Sequence, residues 1–342
     1  MVTLFDTHPK SDPRYLYGRE KELNDLVGHV KNGDWVVLLG PRRVGKTSLA
    51  RCTATKLGIR TLVIDARIES DFARGLTNGL SSPKTVNIQA SAAIPHVPVS
   101  VSAGYTKALF AQPLEQLLSN VKKELLVIVD EAQWLKNPRG VARLMAHIFD
   151  YRHEKMTFVI TGSAVGVMRT ITEPGAKSPL YGRAMTTMNI RKWRDASTSL
   201  TFLREGCKQN KVSLTDDELG DVVDTLDGVP GWLTLFGSHF AESKEAGKAI
   251  DLTRNEAMKI VKEELESSAK IALGWPRQLS ILKAISKKSM KFNEIAGELD
   301  LQNKALSRNL DMLERLQYVE ADEEKNYTII DPIVREFMKR PE

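Results

Sequence analysis

Gly40-Pro41-Arg42-Arg43-Val44-Gly45-Lys46-Thr47 has the spacing G-x-x-x-x-G-K-[ST]. Backbone N–H groups of such a loop, with the positive end of the helix that follows, can surround phosphates, and the glycines keep side chains out of their way. Lys46 is the residue to neutralise the β and γ phosphates. Thr47 can ligate Mg²⁺, and Ser48 offers a further donor near the α phosphate. Much later, Asp130-Glu131 closes the apolar run Leu125 to Val129. There Asp130 would hold the metal's hydration shell, while Glu131, one residue further, would orient and deprotonate an attacking water. This chemistry is hydrolysis of a nucleoside triphosphate. The competing structural readings are a chance glycine-rich turn and an acidic pair opening a helix.

Three further groups are candidates. Thr161-Gly162-Ser163 ends another apolar run, so Thr161 and Ser163 can sense the γ phosphate or simply make a strand-to-loop turn. Arg183, on the turn Ser178-Pro179-Leu180-Tyr181-Gly182-Arg183, is suited to stabilise transition-state charge in cis or across a subunit boundary, or to form a surface ion pair. Gln133 and Trp134 are open between function and packing.

The elements that must position these residues are legible as apolar runs. Trp35 to Leu39, Thr61 to Asp65, Leu125 to Val129 and Thr157 to Thr161 read as strands buried on both faces, with Met185 to Ile190 a weaker fifth; helical patterns between them make an α/β core. Alternating apolar residues at 84–107 predict an inserted β-hairpin. After Arg191 the pattern turns helical, with a capping box expected from Thr215 and Glu218. From Lys270, three short helices and two short strands describe a winged helix. The domains expected are a core at 1–191, a helical lid at 192–269 and a winged helix at 270–342.

Composition narrows the class without deciding it. The chain has 342 residues, 42% hydrophobic and 27% charged, which suits a globular protein of two or three domains. Its start lacks a secretory signal pattern and no run reaches membrane-spanning length, so a cytoplasmic protein with no membrane contact is expected. Two separated cysteines indicate neither a disulfide framework nor a zinc site. The net charge of +6 permits contact with nucleic acid. Lys304 and Arg308, on the helix expected at 303–316, are the residues that would reach DNA. Yet residues 270–342 hold thirteen Lys/Arg against twelve Asp/Glu, and the acidic wing at Glu320 to Glu324 would be repelled by phosphate. DNA contact and a protein-interaction or autoinhibitory role therefore stay equally open.

Taken together, Tyr17-Gly18-Arg19-Glu20, GPRRVGKTS, LLVIVDEAQ, TGS, SPLYGR and Asp227-Gly228-Val229-Pro230 resemble the archaeal ATPase branch of the STAND and AAA+ P-loop proteins. The resemblance runs along nearly the whole chain. It implies a five-stranded parallel core sheet of order 5-1-4-3-2, with one strand between the Asp130 strand and the phosphate-loop strand. It also implies that Tyr17 and Arg19 lie against adenine, largely through backbone groups. The segment ending at Pro230 would close the helical lid on the nucleotide. Asn189 to Trp193 departs from the leucine, proline and phenylalanine usual there, and the inserted hairpin carries no family motif. A glycine-x-proline in place of a sensor arginine favours a switch over a processive motor.

The function expected is a Mg²⁺-dependent ATPase that binds ATP or ADP and changes conformation, working through a protein partner or a nucleotide-dependent homo-oligomer. The alternatives are an ATP-regulated DNA-binding protein of replication, transcription or a mobile element, and a nucleotide-binding scaffold that does not turn over. No N-K-x-D follows the fourth strand, which argues against guanine.

Overall fold

The apolar runs become strands because each is short, rich in β-branched residues and closed by a polar or glycine residue. The computed structural model describes residues 3–81, 114–163, 167–183, 185–272 and 274–340; the hairpin expected at 84–107 lies outside them. Strands β1 (Val36–Leu39), β2 (Arg60–Asp65), β3 (Leu125–Asp130), β4 (Met156–Gly162) and β5 (Thr186–Asn189) form one sheet in the order β2-β3-β4-β1-β5. All neighbours are parallel. The expected order is therefore the observed one, and β4 separates β3 from β1.

Alternate strand residues feed two apolar layers. Val36, Leu38, Leu126, Ile128 and Val159 pack with helices α1 (Glu20–Lys31) and α2 (Lys46–Leu57). Val37, Ile64, Val127, Phe158 and Ile160 pack on the other face, under α3 (Phe72–Ser81), α4 (Leu114–Ser119), α5 (Pro138–Arg152) and α6 (Val167–Thr172). With both faces covered, all six residues of β3 are buried, which is why it reads as a continuous hydrophobic run.

Helices α7 (Ala196–Asn210), α8 (Asp216–Leu226), α9 (Pro230–Ser243) and α10 (Ala246–Ile271) follow. The capping box at Thr215 and Glu218 is present and opens α8. The C-terminal part comprises α11 (Trp275–Lys287), β6 (Met290–Lys291), α12 (Phe292–Glu298), α13 (Asn303–Arg315), β7 (Val319–Ala321), β8 (Asn326–Ile329) and α14 (Pro332–Lys339). Its three strands pair antiparallel in the order β6-β8-β7. The sequence reading lacked α14, whose Ile333 and Val334 are buried. One continuous apolar cluster joins residues of α7 to α14, and Leu4 and Phe5 of the N-terminal segment belong to it. Among the described residues, no helix is long and apolar enough to cross a membrane.

Candidate functional site

β1 delivers the phosphate loop at the carboxyl end of the sheet. Gly40 lies at φ +153°, and a Cβ there would stand 2.0 Å from the Ile190 carbonyl oxygen, so the backbones of the loop and of the segment after β5 meet where only glycine fits. Lys46 begins α2 and is buried. Its ammonium donates to the Gly40 and Pro41 carbonyls at 2.7 and 2.6 Å, drawn back along the loop it would leave for a phosphate. Burial pulls its pKa down, opposed by the carboxylates of Glu131 and Asp130.

Across the loop, the β3–β4 register aligns Val129 with Ile160 and so sets Asp130 beside Thr161. The Thr47 hydroxyl approaches the Asp130 carboxylate at 2.9 and 3.1 Å. Thr161, with no exposed surface, donates its hydroxyl to the same carboxylate, and its oxygen accepts the Glu131 N–H at 3.2 Å. One hydroxyl thus connects the backbones of β4 and the β3 end. Thr47 and Asp130 supply only oxygen, the donor chemistry a magnesium ion prefers, and such ions are ordinarily completed by water and phosphate. Among the described residues, no group of three or more His, Cys, Asp or Glu could hold a metal ion.

Glu131 follows in a left-handed conformation at φ 54°, and its side chain borders a cleft of about 920 Å³. That volume suits a nucleotide-sized ligand. Pro41 lies in a smaller adjoining cavity, whereas Arg42, Arg43, Val44, Gly45, Lys46, Thr47 and Ser48 border the main cleft. Ser163 also borders the smaller cavity, together with Lys46 and Glu131.

Tyr17, Arg19 and Pro230 line the main cleft as well. The Tyr17 ring stands edge-on to Trp193 and Phe202, with centroids 6.0 and 5.5 Å away. The Arg19 guanidinium is engaged by Glu22 at 2.7 Å and by the carbonyls of Val44 and Arg191. It therefore braces the phosphate loop. Pro230 opens α9, and the next residue, Gly231, donates its N–H to the Arg43 carbonyl at 3.0 Å.

Two sets of cleft residues were absent from the sequence reading. Residues 4 and 6–10 line it, and the Lys10 N–H reaches the Ser48 hydroxyl at 3.0 Å. The only sequence signal was the apolar pair Leu4-Phe5 in a polar start. Glu264 of α10 pairs with Arg42 at 3.1 Å and with both guanidinium nitrogens of Arg43, in a position where its side chain is 12% exposed. Nothing local marked it among the many charges of α10.

Arg183 requires a correction. It precedes β5, whose Thr186 aligns with Val36 at the start of β1, so it lies at the amino end of the sheet, opposite the phosphate loop. Its guanidinium is paired with Asp150 at 2.8 and 2.6 Å and with the Pro179 carbonyl. An action on the phosphates in cis does not fit this geometry. Lys304 and Arg308 are exposed on α13, whose Leu306, Leu310 and Leu313 are buried as their spacing required. At the end of that helix Arg315 pairs with Glu173 of the core segment at 2.9 Å.

Residues 16–236 match a family model described as an ATPase domain predominantly from Archaea. Residues 276–321 match that of the arsR family of bacterial regulatory proteins. Among solved structures, a Walker-type ATPase of Pyrococcus abyssi is 25% identical with a TM-score of 0.80, the match covering 98% of this chain and 100% of that one. The ORC2 protein of Aeropyrum pernix, in ADPNP–ADP complexes, is similar in fold at 15% identity and TM-score 0.64, with 98% and 96% covered. Cdc6p from Pyrobaculum aerophilum is likewise similar in fold, at 14% identity and TM-score 0.51, with 98% and 97% covered. A comparison with curated proteins returned no match.

Proposed function

The chain belongs to the family of ATPase domains found predominantly in Archaea, and we propose that it couples Mg²⁺-dependent ATP hydrolysis to a movement of its helical and winged-helix parts against the nucleotide core. The observation that carries the coupling is the grip of Glu264 on Arg42 and Arg43. The loop that must hold phosphate is held by a carboxylate from the other half of the chain. An arriving triphosphate competes with Glu264 for the same two guanidinium groups, which gives nucleotide the differential interaction a conformational shift requires. Because α7 to α14 share one apolar cluster, the lid and the winged helix move together.

In the reaction, loop amides and Lys46 bind the phosphates. Thr47 and Asp130 would hold magnesium, which when bound neutralises phosphate charge. Glu131 orients a water and takes its proton as the water oxygen bonds to the γ phosphorus and the bond to ADP breaks. Small-angle scattering of the whole chain, alone, with ADP and with a non-hydrolysable ATP analogue, tests the movement, while phosphate release tests hydrolysis separately. Glu264→Gln should tighten ATP binding about tenfold, within the usual range of coupling energies. Identical scattering in all three states, with unaltered affinity in the variant, removes the switch and leaves the ATPase.

A second reading is favoured by Lys304 and Arg308, exposed one turn apart on α13 within the segment that matches a regulatory-protein family. Here ATP would regulate duplex DNA binding. Replacing both with alanine should weaken binding and lower the salt slope by about two. Binding unaffected by the pair would leave a protein partner for this face.

A further inference from the structure

Gln133 is a buried amide to which the phosphate chemistry assigns no task. It lies in the turn Ala132–Trp134 that follows β3, two residues beyond Glu131. Its Nε2 donates to Glu131 Oε2 at 2.5 Å, and its Oε1 accepts the Ser163 N–H at 3.3 Å. Only one orientation of the amide satisfies both partners, since a carboxylate needs a donor and a main-chain N–H needs an acceptor. Gly162 makes the room: a Cβ there would stand 2.4 Å from Gln133 Oε1.

We infer that Gln133 is a positioning residue for hydrolysis, holding the Glu131 carboxylate in register with the carboxyl end of β4 through the Ser163 main chain. This rests on the reading of Glu131 as the base. Glu131 stands on a left-handed backbone in a turn, so its long side chain has no strand to fix it and the amide supplies the missing constraint. The partner chosen matters: β4 also carries Thr161, whose hydroxyl meets Asp130 and the Glu131 N–H. Gln133 and Thr161 therefore tie the side chain and the backbone of Glu131 to the same strand end. A phosphate that shifts Ser163 also shifts the base.

The test uses the full chain with Mg²⁺ and ATP. Gln133→Met keeps the length but donates nothing, and Gln133→Glu puts a second acid against the first. Turnover should fall about 10- to 100-fold in Gln133→Met, part of what a positioned base contributes, and further in Gln133→Glu. KM and ADP affinity should stay near the wild type. Gly162→Ala leaves the amide intact but occupies its place, and should reproduce the Gln133→Met loss with the same split between kcat and KM. In single-turnover measurements, Gln133→Met added to Glu131→Gln should cost nothing more. Unchanged kcat in Gln133→Met and Gly162→Ala, or a loss carried by KM, overturns the assignment while an inactive Glu131→Gln keeps the base. Wild-type turnover in Glu131→Gln itself overturns both. Circular dichroism melts identify any variant that fails to fold, and Gly162→Ala then decides.

Discussion

Replacing Thr161 with valine removes one hydroxyl and almost no volume, so its effect reads the hydroxyl alone. That oxygen donates to Asp130 and accepts from the Glu131 N–H, in a position with no exposed surface. A hydrogen bond to a charged carboxylate contributes about 1.5–3 kcal/mol, and stranding a buried N–H costs about 1–3 kcal/mol. The added methyl recovers about 0.8 kcal/mol of transfer free energy. The net destabilisation should be roughly 2–5 kcal/mol, read as a lower denaturant midpoint with unchanged slope. Turnover should fall further than stability alone explains, on the order of 100-fold, because Asp130 loses one of its two hydroxyl partners and the Glu131 backbone loses its tether. Thr161→Ser restores both bonds and should recover most of the stability and the rate. A valine variant within about 0.5 kcal/mol of the wild type, the scale of ordinary surface substitutions, would refute the reasoning, because the tethers would then contribute nothing.

Three further outcomes are expected. Gly228→Ala should destabilise by roughly 2–5 kcal/mol, since Gly228 lies at φ +66° and its added Cβ would stand 2.1 Å from the Trp193 carbonyl oxygen; a denaturant melt superimposable on the wild type contradicts it. Enclosure pushes the Asp331 pKa above its ordinary 3.8, against Arg43, the Trp232 N–H and the amides of Ile333 and Val334. The raised folded value means that its contribution is complete below the unfolded pKa and is lost as pH rises through the folded one. Asp331→Asn, neutral and still able to cap α14, should therefore raise Tm at pH 8 and change it least near pH 4; a gain that grows toward acid would reverse the sign and the account. Arg183→Ala should leave turnover within about twofold, as for other exposed ion pairs; a large loss that deepens with protein concentration would instead place Arg183 in the site of a neighbouring copy.

The placing of the phosphate loop and of Glu131 after β3 beside one cleft was legible because the signal is local: the run of residues that forms strand, turn and helix is also the run that borders it. The sheet order followed from the family resemblance and the burial from apolar patterning. For Arg183, chain order already argued against the cis alternative and for the surface ion pair it makes with Asp150. In a parallel sheet, ligands gather at the carboxyl ends of strands, and a residue just before β5 belongs to the other end. Glu264 gave no such cue, Gln133 was left open between function and packing, and the segment from Leu4 to Lys10 offered only the apolar pair Leu4-Phe5. Glu264 sits on α10 among alternating charges, and only the docking of that helix on the loop distinguishes it from Glu263 or Glu266. Gln133 is seated by a glycine twenty-nine positions away and by the main chain of the residue after it, a separation no local pattern encodes.

The two loop arginines explain why the phosphate loop departs from a minimal one. Arg43 is held at φ 63°, its carbonyl accepts the Gly231 N–H at 3.0 Å and its guanidinium lies 4.0 Å from the centre of the Trp232 ring. The Trp232 indole N–H in turn reaches the Asp331 carboxylate at 2.9 and 3.0 Å, at the start of α14. A loop residue is thereby linked through α9 to the last helix by one main-chain hydrogen bond, one stacked cation and one charge-assisted hydrogen bond. In the proposed switch, a phosphate that draws Arg43 toward itself weakens the first member of that series, and the carboxylates of Glu264 and Asp331 lose a cation together. Coupling of this kind is reciprocal. A partner that draws the winged helix from the core must change ATP affinity by the same factor that ATP changes the partner's, so the identity of that partner can be sought by its effect on nucleotide binding alone.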